Sequence, residues 1–174
     1  MRPLLSTILA VGLLAGPVLS ARAEQCARPV EKSAFDVAGL KSQLMVTALS
    51  CQADAKANSM DKYNAFVTRY RTDLVSQERS LNNYFQRAYG RSAQRQHDDY
   101  ITQLANAQSD EGIKSGSFFC AKNLSMFDEV MALKDGHQLP GYAATKAPVQ
   151  PISLTACPME PTKAKTKTIK SAKK

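Results

Sequence analysis

The stretch FDVAGLKSQLMVTALSC, from Phe35 to Cys51, decides how the rest of the chain is read. Val37, Leu40, Leu44, Ala48 and Cys51 recur at three- and four-residue steps, which gathers them on one face of a helix. Ahead of it, Ser33-Ala34-Phe35-Asp36 has the form of a capping signal: a hydroxyl able to accept from an early amide, then an acid in the first turn. A helix is therefore expected from about Phe35 to Cys51, ending on a cysteine. The polar segment Gln52–Ser59 turns the chain out of it.

Working outward, the same period returns three times. Tyr63, Phe66, Val67, Tyr70, Leu74, Leu81, Tyr84, Phe85 and Ala88 form a long aromatic-rich stripe that starts near Met60 and stops at Gly90. Its section Ser76–Ser80 is polar all round, the place where a break is expected. A third helix takes Ser92 to about Gln108 on Tyr100, Ile101, Leu104 and Ala105, and Ser109–Gly116 reads as a turn. A fourth runs from about Ser117 to Lys134 on Phe119, Cys120, Leu124, Phe127, Val130 and Met131, ended by Asp135-Gly136. No alternating apolar pattern occurs, so no sheet is expected. Four helices with short connections predict an all-α, antiparallel four-helix bundle-like domain, and apolar stripes of this kind exist mainly to be buried in its core. A chain of 174 residues with 44% hydrophobic content suits one such domain.

This topology selects a disulfide pairing. Cys26, Cys51, Cys120 and Cys157 are 25, 69 and 37 residues apart, and no Cys-x-x-Cys occurs, which fits neither a zinc site nor a thioredoxin-like motif. Four cysteines allow three pairings. Cys51 ends the first helix at the end of the bundle where the fourth begins with Cys120, while Cys26 and Cys157 belong to the opposite end. Cys51–Cys120 and Cys26–Cys157 are therefore predicted. Any other pairing would span a helix of roughly 25 Å, against the 4.4–6.8 Å between Cα atoms that a disulfide allows.

The termini carry a different kind of information. Residues 1–23 have a basic start at Arg2, an apolar run from Leu4 to about Leu14, and Ala21-Arg22-Ala23 as a small-x-small cleavage site, the three parts of a secretory signal peptide. The run is shorter than the roughly 20 residues a membrane span needs, so cleavage near Ala23 and a soluble, exported chain from Glu24 are expected, with no integral membrane segment. Residues 24–136 are the helical domain. Residues 137–160, with Pro140, Pro148, Pro151 and Pro158, read as an extended strap pinned by Cys157. Residues 161–174 read as a disordered tail holding Lys163, Lys165, Lys167, Lys170, Lys173 and Lys174.

That division resolves the charge. The chain has 23 Lys and Arg against 15 Asp and Glu, a formal +8 that suggests a polyanion partner. Two basic residues fall in 1–23 and six in the tail, so 15 remain between Glu24 and Glu160 against all 15 acids. The body is neutral. The tail has no aromatic residue to stack on bases, so specific nucleic-acid binding is not expected. Its six lysines suit a salt-sensitive contact with an anionic envelope component: lipid head groups, lipopolysaccharide or acidic polysaccharide.

Catalytic signals are sparse. Arg95-Gln96-His97-Asp98-Asp99-Tyr100 sets a histidine among carboxylates, the basis of an alternative reading as a periplasmic enzyme using His97. Neighbours on a helix point about 100° apart, so His97, Asp98 and Asp99 do not converge, and Arg95 stands at pairing distance from Asp98 and Asp99 on the helix surface. No Gly-rich phosphate loop, serine elbow or paired-carboxylate cluster is present, and no cofactor or metal is expected. Arg69, Arg71, Arg79, Arg87, Arg91 and Arg95 make an Arg-rich middle that reads as a solvated face balanced by Asp73, Glu78, Asp98 and Asp99.

Leu40-Lys41-Ser42-Gln43-Leu44-Met45-Val46-Thr47-Ala48-Leu49-Ser50-Cys51, Tyr63-Asn64-Ala65-Phe66-Val67, Tyr84-Phe85 and Phe118-Phe119-Cys120 together resemble exported helical proteins of alphaproteobacteria. The resemblance covers about residues 26–133. It implies a Gram-negative periplasmic setting and a helical architecture, and it carries over no functional residue. The expected role is that of an exported, disulfide-stabilised helical binding or structural protein of the cell envelope.

Overall fold

Helix α1 spans Pro29–Ser50 and is the post around which the other elements are arranged. The computed structural model describes residues 25–158; the segment read as a signal peptide and the lysine tail lie outside them. The helix begins six residues before the expected start, because Pro29 takes the first helical position, where a missing N–H costs nothing. The Glu31 carboxylate accepts from the Arg28 backbone N–H at 2.8 Å, which closes that end. Ser33 is thus already inside the helix, its hydroxyl donating to the Pro29 carbonyl at 3.1 Å instead of capping.

Helix α2 (Ser59–Arg69) returns along α1, and α3 (Arg71–Tyr89) continues it after a break at Tyr70. The break falls there and not in the polar section Ser76–Ser80, which is helical throughout. Its cause is tertiary: the buried Tyr70 hydroxyl donates to the Val130 carbonyl at 2.6 Å, and Arg69 Nη2 to the Leu133 carbonyl at 2.6 Å. Helix α4 (Ala93–Ser115) runs about two turns past the expected end at Gln108. Gly112 sits within it against the Phe119 ring, and Gly116, at φ +55°, supplies the left-handed exit. Helices α5 (Phe118–Asn123) and α6 (Ser125–Met131) together occupy the place of the fourth predicted helix.

The stretch after Gly136 corrects one expectation. It is not extended throughout: Leu139–Lys146 form helix α7, which packs on α1 with Leu139 and Ala143 in the core. Only the segment beyond it is strap-like. There Ala27 N–H donates to the Thr155 carbonyl at 2.8 Å and Cys157 N–H to the Ala27 carbonyl at 2.9 Å, a single parallel bridge and not a strand. Among the described residues the fold is all-α and bundle-like.

Among the described residues two large apolar clusters and a smaller one around Val46, Cys51 and Phe119 fill it, and α1 contributes to all three. One end holds Phe35, Leu81, Tyr84, Phe85, Tyr100 and Leu104, with Phe35 edge-on to Tyr84 at 4.9 Å and to Tyr100 at 5.1 Å between ring centres. The other holds Leu40, Leu44, Phe66, Tyr70, Phe127 and Val130. Both predicted disulfides are present, Cys51–Cys120 with Cα atoms 5.7 Å apart and Cys26–Cys157 at 4.8 Å, and no described cysteine is free.

Candidate functional site

His97 is on α4 with its ring against Phe85, 5.2 Å between centres, and it is buried. The carboxylates next to it in sequence do not join it. Asp98 and Asp99 are exposed, and Asp98 accepts from Gln94 Nε2 at 2.9 Å, not from Arg95. The carboxylate that does reach the ring comes from α3: Glu78 Oε1 lies 3.1 Å from His97 Nε2. That separation is within ion-pair range, yet it is off-line for a hydrogen bond, so the buried Nε2 makes none. Sequence reading missed Glu78 because its pairing crosses from one helix to another, 19 residues away.

Glu78 stands at the rim of an apolar cleft of about 110 Å³. Helix α1 supplies Ala38, Lys41, Ser42 and Met45; α2 supplies Tyr63; α4 supplies Ile101, Leu104 and Ala105. A niche of about 20 Å³, the size of one water, shares Ala38, Lys41 and Glu78 with it and reaches Gln77. Burial raises the Tyr63 hydroxyl pKa above its ordinary value. Ser42 is nine-tenths buried, and its Oγ has no hydrogen-bond partner, so no serine–histidine pair is formed with His97. Lys41 is exposed at the rim and makes no ion pair among the described residues. Neither Lys41 nor Ser42 stood out in the sequence, since both read as flank positions beside the Leu40–Leu44 stripe.

The other candidates are dispersed. Of the Arg-rich middle, Arg69 caps a helix end and Arg87 makes a bidentate pair with the buried Glu31, Nη2 to Oε2 at 2.5 Å and Nε to Oε1 at 3.2 Å. Arg71, Arg79, Arg91 and Arg95 are exposed. His137 is exposed in a single turn of 3-10 helix at Gly136–Gln138. Among the described residues no group of His, Cys, Asp and Glu is placed to hold a metal ion, and no helix is long and apolar enough to cross a membrane. Lys163, Lys165, Lys167, Lys170, Lys173 and Lys174 lie outside the described residues.

Comparison with family models, with curated proteins and with solved structures finds no match for this chain. The class is therefore the one its own fold defines: an all-α domain closed by two disulfides.

Proposed function

We propose that the protein is exported to the bacterial cell envelope and acts there by binding, not by catalysis. The observation that carries this reading is the complete pairing of Cys26, Cys51, Cys120 and Cys157 in a chain headed by a signal-peptide-like segment. Structural disulfides persist in oxidising compartments and are rare in the cytosol of mesophiles. With every cysteine oxidised there is no thiol nucleophile, and among the described residues His97 has Glu78 beside it and no hydroxyl side chain hydrogen-bonded to its Nε2. Binding is supported by a cleft among the described residues whose lining is mostly apolar and includes Lys41 and Ser42. Expressing the full chain in a Gram-negative host and releasing the periplasm by osmotic shock is the test. The expected product is an oxidised chain starting at Glu24. Recovery in the cytosol with residues 1–23 intact would overturn the reading.

The six tail lysines favour a second, compatible role, docking on an anionic envelope surface. Each lysine close to such a surface contributes on the order of 1 kcal/mol. Deleting residues 161–174 should abolish salt-sensitive retention on anionic vesicles or lipopolysaccharide, and retention that survives the deletion would remove this role.

A further inference from the structure

We propose that the cavity of about 380 Å³ where the strap meets the segment before α1 and the end of α3 binds a neutral pyranose sugar. The C–H face of the sugar lies on the Tyr89 ring, and its hydroxyls meet Ser153, Thr155 and Gln25. The proposal names a ligand class for the binding role above, at a place that shares no lining residue with the α1–α4 cleft, and rests on that role.

Size admits such a ligand. About 380 Å³ falls within the roughly 300–1,000 Å³ of small-molecule sites and is more than twice the roughly 150 Å³ that takes a benzene ring, so a six-membered ring fits with its substituents. The walls are fixed before a ligand arrives. The Cys26–Cys157 disulfide and the hydrogen bond from Ala27 N–H to the Thr155 carbonyl hold the strap against the segment before α1. On the α3 side, Tyr89 is stacked on Phe85 at 5.8 Å between ring centres, and the Tyr84 hydroxyl donates to the Gln25 carbonyl at 3.0 Å. Chemistry sets the class. None of the described lining residues is charged, and the nearby Arg87 guanidinium is already shared between Glu31 and the Cys26 carbonyl. A charged ligand therefore finds no counter-ion among them. Ser153, Thr155 and Gln25 are exposed, and their side chains make no hydrogen bond among the described residues. Hydroxyls and a carboxamide both donate and accept, which matches sugar hydroxyls, groups that do the same. The negative face of an aromatic ring attracts the polarised C–H bonds on one side of a pyranose.

Methyl glucoside is the probe, titrated into the oxidised protein and followed by NMR at the Ile152 methyl groups and the Tyr89 ring. Saturable shifts are expected there, with a dissociation constant on the order of a millimolar for so small a ligand. Glucuronate and glucosamine, which add a charge of either sign to the same ring, should bind no more tightly. Thr155→Val keeps the backbone bridge and should weaken methyl glucoside by about fivefold, the factor that roughly one hydrogen bond supplies. Tyr89→Leu keeps an apolar contact on Phe85 and should weaken it at least as much. Tighter binding of either charged sugar, or no effect of Thr155→Val, would overturn the assignment of a neutral sugar. Absence of saturable shifts at Ile152, or binding unchanged in Tyr89→Leu, would overturn the site. Sugar binding by a protein that fractionates with the cytosol would sink the export reading and leave the site standing; an exported, oxidised chain that binds no sugar would do the reverse.

Discussion

Gln150 shows how much of this structure rests on single side chains placed far apart in sequence. Its Nε2 donates to the Phe35 carbonyl on α1 at 2.9 Å, and its Oε1 accepts from the Tyr100 hydroxyl on α4 at 2.9 Å, so one amide ties the strap to two helices. Nothing in Pro148-Val149-Gln150-Pro151 announces that role, because both partners are supplied by tertiary structure. Tyr100 was legible as core, but its hydroxyl's partner was not. The tyrosines also carry the pH response. Burial, the largest cause, raises the pKa of Tyr84 to about 12 and lifts Tyr100 further. Burial also raises Tyr142, with the Glu129 charge beside it adding to the shift. A group whose folded pKa lies above its unfolded value of about 10 contributes stability that is complete below pH 10 and lost as pH rises through the folded pKa. The urea midpoint is therefore expected to hold steady from pH 8 to 9 and fall from pH 10 upward, with Tyr100→Phe flattening the fall. Phenolate absorbance should rise at lower pH in the urea-unfolded chain than in the folded one; superimposable titrations would contradict the burial of these hydroxyls.

At the scale of elements, the long amphipathic stripes were readable and the places where tertiary contact overrides local signal were not. Residues Phe35 to Cys51 gave the right face of α1, yet Pro29 moved the start and the break between α2 and α3 followed Tyr70. Helix α7 escaped because Leu139-Pro-Gly-Tyr-Ala-Ala-Thr-Lys contains two residues that usually oppose a helix. Pro140 is tolerated in the first turn, where its missing N–H breaks no bond, and Leu139 with Ala143 was the whole apolar signal. The contact between α1 and the strap can be probed at Gly39. A Cβ there would stand 2.7 Å from Pro148 Cγ and 2.7 Å from Gln150 Nε2. An exposed helical Gly→Ala change ordinarily gains roughly 0.5–1 kcal/mol, whereas overpacking costs about 1–3 kcal/mol. Since the proline ring is stiff and Gln150 is held by Phe35 and Tyr100, overpacking should win. Gly39→Ala is expected to lower stability by about 1 kcal/mol or more, with faster hydrogen exchange at residues 149–150. A more stable variant would mean that the strap does not press on α1.

For the molecule as a whole, the chain order of four helices was enough to choose one pairing of cysteines from three, because only one places both partners at the same end of the bundle. The two bridges then hold different things. Cys51–Cys120 joins the end of α1 to α5 within a neighbouring apolar patch of Val46 and Phe119, inside a body already packed. Cys26–Cys157, closing 131 residues, holds the segment before α1 against the strap beside a single β-bridge. That same end has a second fastener, since Arg87 Nη2 donates to the Cys26 carbonyl at 2.7 Å while pairing with Glu31. A native disulfide typically contributes about 2–4 kcal/mol, largely by restricting the unfolded chain, and about 1 kcal/mol moves the melting temperature by roughly 2–4 °C at this size. Replacing Cys26 and Cys157 by serine should thus lower the melting temperature by roughly 10 °C and release the strap, seen as faster hydrogen exchange at Ala27 and Cys157Ser while α1 to α4 stay protected. Replacing Cys51 and Cys120 should give a drop of similar size without that local release, because the cross-link acts on the unfolded chain while Val46, Phe119 and Leu124 keep the junction packed. If the strap exchanges equally fast in both variants, Cys26–Cys157 is not what fastens it, and the Arg87–Glu31 pair would carry that end alone.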